Sequence, residues 1–154
     1  MHYTPGQLRD TVGLSKEAFR HWKRVVPAFA NGRGHAPSFS PGDVLASSVL
    51  RRLTDTVGVR IGHLSTVAPA IFEICNDSAL DELRGKSLVI DLEKRSCVLV
   101  DDPTLSAGEL FVVCALTPLI ETLKFDLLNS PVANDAKGGR SVHKGDHVQK
   151  VGGQ

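Results

Sequence analysis

Gly13 stands between two short stretches that each carry their own helix start, and this punctuation constrains the N-terminal part of the chain more than any other feature. Upstream, Thr4 offers a cap, Pro5 suits a first turn, and Gln7 lies three residues after the cap, where a capping box needs it. Leu8 and Val12, four apart, form the apolar stripe of that first helix. Downstream, Ser15 caps a second helix in which Ala18, Phe19, Trp22 and Val25 or Val26 recur at helical spacing. The glycine between them permits a bend that a residue with a Cβ resists. Two short helices about such a turn make a helix-turn-helix.

The second helix offers Lys16, Glu17, Arg20, His21, Lys23 and Arg24 opposite its apolar face. A plain solvated face has similar composition, but the turn in front of it favours entry into a DNA major groove. Lys16, Glu17, Arg20 and His21 are expected to face that groove. Arg20 is the expected anchor, because a guanidinium forks onto a guanine edge or a phosphate. Trp22 and Phe19, spaced with Ala18, read as core rather than as base-stacking groups. Val25-Val26-Pro27 ends the helix, and Asn31-Gly32-Arg33-Gly34-His35, between Phe29 and Phe39, reads as the tip of a two-stranded wing. Arg33 and His35 would then lie along the flanking DNA backbone. Ser40-Pro41-Gly42-Asp43 starts a further helix with Val44, Leu45, Val49 and Leu53 on one face. Its outward Arg51 and Arg52, with Arg24, would add phosphate contacts, and Gly58 closes it.

The charge distribution agrees with a polyanion partner for this region alone. The net formal charge is +1, but residues 1–64 carry +5, residues 65–130 carry −6 and residues 131–154 carry +2. Acidity in the middle segment would hold it away from DNA.

Gly13-Leu14-Ser15, Phe19-Arg20-His21-Trp22, Asn31-Gly32-Arg33 with Phe39, Asp43-Val44, and Leu53 through Gly58 occur in that order over about sixty residues. In this set, residues 3–64 resemble the winged-helix DNA-binding head of MerR-type transcriptional regulators. The resemblance implies a bacterial or phage regulator. One such head covers a short site, so a homodimer on an inverted repeat is the expected assembly. Lys23 stands where that family commonly has an acidic residue, and no stretch matches its long dimerisation helix.

The second half reads as a small α+β module. Ser65 to Arg84 holds one helix of moderate length with Pro69 at or near its start, and Asn76-Asp77-Ser78 breaks it. Leu88 to Leu92 and Cys97 to Val100 read as a hairpin about Glu93-Lys94-Arg95. Phe111, Val112 and Val113 argue for a third strand, and Thr117-Pro118 starts a helix striped by Leu119, Ile120, Leu123 and Leu127. Residues 131–154, nearly free of large apolar groups, read as a disordered tail. The expected fold class is thus α+β: a winged helix-turn-helix domain over residues 1–64, a module over 65–130 for dimerisation or for an effector or protein partner, and the tail.

No nucleophile elbow, phosphate loop or metalloprotease motif occurs, so an enzyme is not expected and no cofactor is implied. His143 and His147 lie four apart in the tail with no third ligand near them. Asp101, Asp102 and Glu109 read as a solvated loop end. Cys75, Cys97 and Cys114 lack a CxxC spacing, and Cys97 and Cys114 sit in apolar strand patterns as buried filler. Neither a secretory signal nor an apolar run long enough to span a bilayer occurs, which gives a cytoplasmic expectation with no membrane partner. Two other classes fit the same residues: an excisionase-like architectural DNA-binding protein, and an interaction adaptor that uses the acidic module.

Overall fold

The structure, a computed structural model, describes residues 2–31, 38–104 and 109–129. Met1–Leu123 form one compact unit, and residues 131–154, expected as a tail, lie outside the described residues. Residue 64, the boundary expected between the head and the α+β module, falls inside that unit.

The helix starts form where local chemistry demands them. In α1 (Pro5–Val12) the Gln7 N–H donates to Thr4 Oγ1 at 3.1 Å, and the Thr4 N–H donates to Gln7 Oε1 at 2.8 Å, closing the capping box. Gly13 adopts a left-handed φ of 78°, and both its N–H and that of Leu14 donate to the Arg9 carbonyl. Ser15 Oγ caps α2 (Lys16–Val25) by accepting from the Ala18 N–H at 3.1 Å. A second capping box, Ser40 with Asp43, opens α3 (Pro41–Arg52). Its last turn widens over Leu53–Val57 and stops at Gly58, again left-handed at φ 81°. The short α4 (Ile61–Leu64) follows Arg60, whose side chain makes no cap hydrogen bond.

The expected wing differs on its first arm. Phe29 lies in a tight helical turn, Pro27–Asn31, rather than in a strand. Pro27 lacks an N–H for a ladder, and Phe29 is drawn inward to full burial. Phe39 pairs instead with Tyr3, whose N–H donates to the Phe39 carbonyl at 2.7 Å. The wing tip, with Arg33 and His35, lies outside the described residues.

Phe29 is the hub of the core. Its ring meets Phe19 at 5.7 Å, Trp22 at 5.8 Å, Phe39 at 6.1 Å and Phe72 at 5.6 Å, between centroids. The Phe19 and Phe72 contacts are edge-to-face, the arrangement that ring quadrupoles favour. Phe72 belongs to α5 (Ala68–Asp77), so head and module share one apolar interior. The helices α3 and α5 approach closely at Gly42, where an added Cβ would meet the Cys75 carbonyl at 2.5 Å and the Asn76 side chain. Asn76 seals this contact: its Nδ2 donates to Asp43 Oδ1 at 2.9 Å and to the Phe72 carbonyl at 2.8 Å, and it bonds Ser40 Oγ.

The sheet is antiparallel with order β2-β1-β3. The central strand β1 (Ser87–Asp91) is buried along its whole length. It pairs with β2 (Ser96–Val100) through a turn, in which the Lys94 N–H donates to Asp91 Oδ1 at 2.8 Å, and on its other side with β3 (Val112–Ala115). The helix α6 (Thr117–Asn129) begins directly after β3, and its Leu119, Ile120 and Leu123 are buried. The Gly85 N–H donates to Thr117 Oγ1 at 2.8 Å, tying the entry of β1 to the start of α6. The mixed α+β class is therefore observed.

Candidate nucleic-acid interface

The α2 face is divided by its own periodicity. Phe19 and Trp22 point into the core, as their spacing predicts. Lys16, Glu17, Arg20, His21 and Arg24 are exposed, and Lys23 is half-buried. Positions 16, 20 and 23 fall on one stripe, and 17, 21 and 24 on the neighbouring one.

The first stripe lines a recess of about 240 Å³ whose walls are Arg9, Lys16, Phe19, Arg20 and Lys23. Three cations come from α2, and the fourth, Arg9, reaches across from α1. The Gly13 turn fixes this meeting, because it sets the angle between the helices. Lys23 Nζ sits 5.8 Å from the Phe19 ring centroid, a cation–π contact that holds the ammonium over the recess. Among the described residues, Lys16, Arg20, Lys23 and Arg24 make no ion pair, while Arg9 has one exposed contact to Asp10 at 3.5 Å. Four cations about one hollow repel each other unless an anion or solvent screens them. Such a recess suits a phosphate, which takes charge-assisted hydrogen bonds from guanidinium and ammonium donors.

Arg9 was not among the expected contact residues. Its only signal in the sequence is its place late in α1, four residues before the turn; no pattern on α1 alone aims it at α2. Arg51 and Arg52 do not join the recess. Arg51 is paired to Asp55 at 2.9 Å along its own helix. Arg52 lines a separate apolar groove of about 250 Å³ beside β3, which Cys114 also lines.

The buried-filler role expected of the cysteines holds for Cys75 and only in part for the other two. Only Cys75 is fully buried; Cys97 and Cys114 are half-buried. In the sheet, Cys97 is opposite Ile90 and Cys114 opposite Leu88, so both thiols lie on one face, on either side of β1. Burial pushes the Cys75 and Cys97 thiols up to about 12, and also raises Cys114. Among the described residues no group of three His, Cys, Asp or Glu side chains could hold a metal ion. His143 and His147 lie outside the described residues. The carboxylates Asp101 and Glu109 serve different partners, Lys86 at 3.9 Å and Lys94 at 3.1 Å. No helix among the described residues is long and apolar enough to cross a membrane.

Comparison with protein-family models, with characterised proteins and with solved structures finds no match for this chain.

Proposed function

We propose that this chain is a sequence-reading, double-stranded DNA-binding protein, a transcriptional regulator of MerR-like type, with α2 as its reading helix. The observation that carries the reading is the recess in which Arg9, Lys16, Arg20 and Lys23 converge without carboxylates to neutralise the α2 cations. A backbone phosphate seated there fixes the register of α2 on the duplex. The neighbouring stripe of Glu17, His21 and Arg24 is then left to reach base edges. Arg20, exposed at the rim, serves either stripe. A bidentate arginine–guanine contact is worth about 1–3 kcal/mol of discrimination. Arg33 and His35 would follow the flanking backbone. Two heads on an inverted repeat would double the site.

Titrating binding to mixed-sequence duplex DNA against salt tests this role. Arg9→Ala, Lys16→Ala and Lys23→Ala should each lower affinity for duplex DNA, and the three together should lower the steepness of log affinity against log salt by about one phosphate contact. Glu17→Ala should alter sequence preference and leave that slope unchanged. Wild-type protein that fails to bind duplex DNA at low salt would end the proposal.

A further inference from the structure

The strand β3 is an edge of the sheet, and its outward backbone groups can be identified. The Leu116 N–H donates to the Lys86 carbonyl at 3.1 Å, which makes that opposed pair a hydrogen-bonded one. By alternation, Cys114 with Leu88 and Val112 with Ile90 are hydrogen-bonded pairs as well. The N–H and C=O groups of Val113 and Ala115 therefore point away from β1. The strand Val112-Val113-Cys114-Ala115 has no charge, proline or bulge to protect this edge. The other edge strand, β2, is bracketed by Lys94, Arg95, Asp101 and Asp102. Beside β3 runs the apolar groove, lined by Arg52, Thr56, Val57, Cys114, Pro118 and Leu119 among others. Just before the strand, Leu110 is 82% exposed, the most exposed large apolar side chain among the described residues.

We infer that β3 is a homodimer edge: two copies pair their β3 strands antiparallel, about a two-fold axis perpendicular to the sheet at Val113, and each inserts Leu110 into the groove of the other. A second copy fits because the surface is self-complementary. The axis sets Leu110 opposite the partner's Leu116 and on the same sheet face as the partner's Cys114, a groove residue. The groove runs along β3 and on past it to Pro118 and Leu119, whereas Leu110 precedes the strand, so the two-fold axis carries each Leu110 to the far end of the partner's groove. The pairing covers the half-exposed Val57 and Val113 and satisfies the outward backbone groups.

This assembly supplies the two heads that the proposed reading of an inverted repeat requires, and in that sense it rests on that reading. Its evidence is the edge strand, and its test uses no DNA. Failure of the dimer leaves the binding of a single head to DNA measurable, and failure of DNA binding leaves the dimer standing.

Sedimentation equilibrium of the full chain at about 100 µM fills an interface of micromolar Kd. Wild type should be a dimer, and Leu110→Asp and Val113→Pro should be monomers with unchanged circular dichroism. Proline at 113 removes an outward N–H and leaves the β1 ladder intact; should it unfold the chain, Leu110→Asp decides. Val113→Cys should form an intermolecular disulfide under mild oxidation, since hydrogen-bonded antiparallel partners sit about 5.5 Å apart at Cα, within disulfide reach. Phe111→Cys, displaced from the axis, should not. A monomeric wild type overturns the inference, whether or not it takes up an extended peptide instead. A folded Leu110→Asp protein that stays fully dimeric overturns it as well.

Discussion

The helix α2 and the sheet employ the same cationic residue types in opposite ways. Around β1, Arg84 pairs with Asp81 and Glu121, Lys86 with Asp101, and Lys94 with Asp91 and Glu109. On α2, Lys16, Arg20, Lys23 and Arg24 have no such partners among the described residues. A lysine or arginine with a carboxylate beside it has already satisfied much of its field locally. One without such a partner retains it for something outside. The difference teaches that net charge by segment is too coarse a guide: what marks the α2 face is the absence of local neutralisation at converging cations.

The two regions are nonetheless one structure, and the largest expected effect tests that. Phe29→Ala removes the ring that joins α2 to α5 and should cost about 3–5 kcal/mol, from transfer and cavity terms together. Chemical denaturation followed by Trp22 fluorescence and by circular dichroism should shift as one transition. Separate transitions would show that head and sheet unfold independently.

A smaller loss is expected at the seam between α3 and α5. Gly42→Ala puts a Cβ against the Cys75 carbonyl, which is backbone and cannot swing away. Overpacking of this kind costs about 1–3 kcal/mol, readable as a lower denaturation midpoint. An unchanged midpoint would mean that the helices part freely there.

The cysteines give the sheet side a dependence on pH. Their folded pKa values are raised, to about 12 for Cys75 and Cys97, so the unfolded state loses its thiol protons first. Their contribution is therefore complete below pH 9 and is lost as pH climbs from about 9 through about 12. Replacing Cys75 by Ala or Ser should flatten the alkaline limb of a stability–pH curve. A limb that keeps its slope would assign it to other groups.

The smallest effect separates the two kinds of cation. Lys94→Ala and Lys86→Ala break exposed pairs and should change stability by at most about 1 kcal/mol. Neither should alter DNA affinity measurably. Equal loss of DNA binding from Lys86→Ala and Arg20→Ala would erase the distinction between the regions.

Much of this arrangement was legible in the residues because the forces that set it are local. Thr4, Ser15 and Ser40 cap helices through atoms three residues away, and Gly13 and Gly58 take the left-handed conformation that ends a helix and that glycine adopts without strain. The hairpin was legible for the same reason. The misses all involve tertiary partners. Phe29 is folded inward by rings from three other segments, so its local pattern misleads as a strand. The pairing of β3 with β1 lies far along the chain, and it alone decides that Cys97 and Cys114 share a face. Arg9 faces α2 only because two helices meet at a set angle. Adjacent Arg51 and Arg52 diverge because successive helix positions point about 100° apart.

The central claim is that α2 reads DNA. Selection from a random duplex pool with wild type and with Arg20→Ala, repeated across salt concentrations, addresses it most directly. The account predicts an enriched motif with wild type, arranged as an inverted repeat, that Arg20→Ala loses or binds about tenfold or more weakly, as expected for the loss of a contact of about 1.4 kcal/mol or more. Salt-sensitive binding with no enriched motif would contradict sequence reading and leave an architectural role. No binding at low salt would contradict the DNA claim altogether.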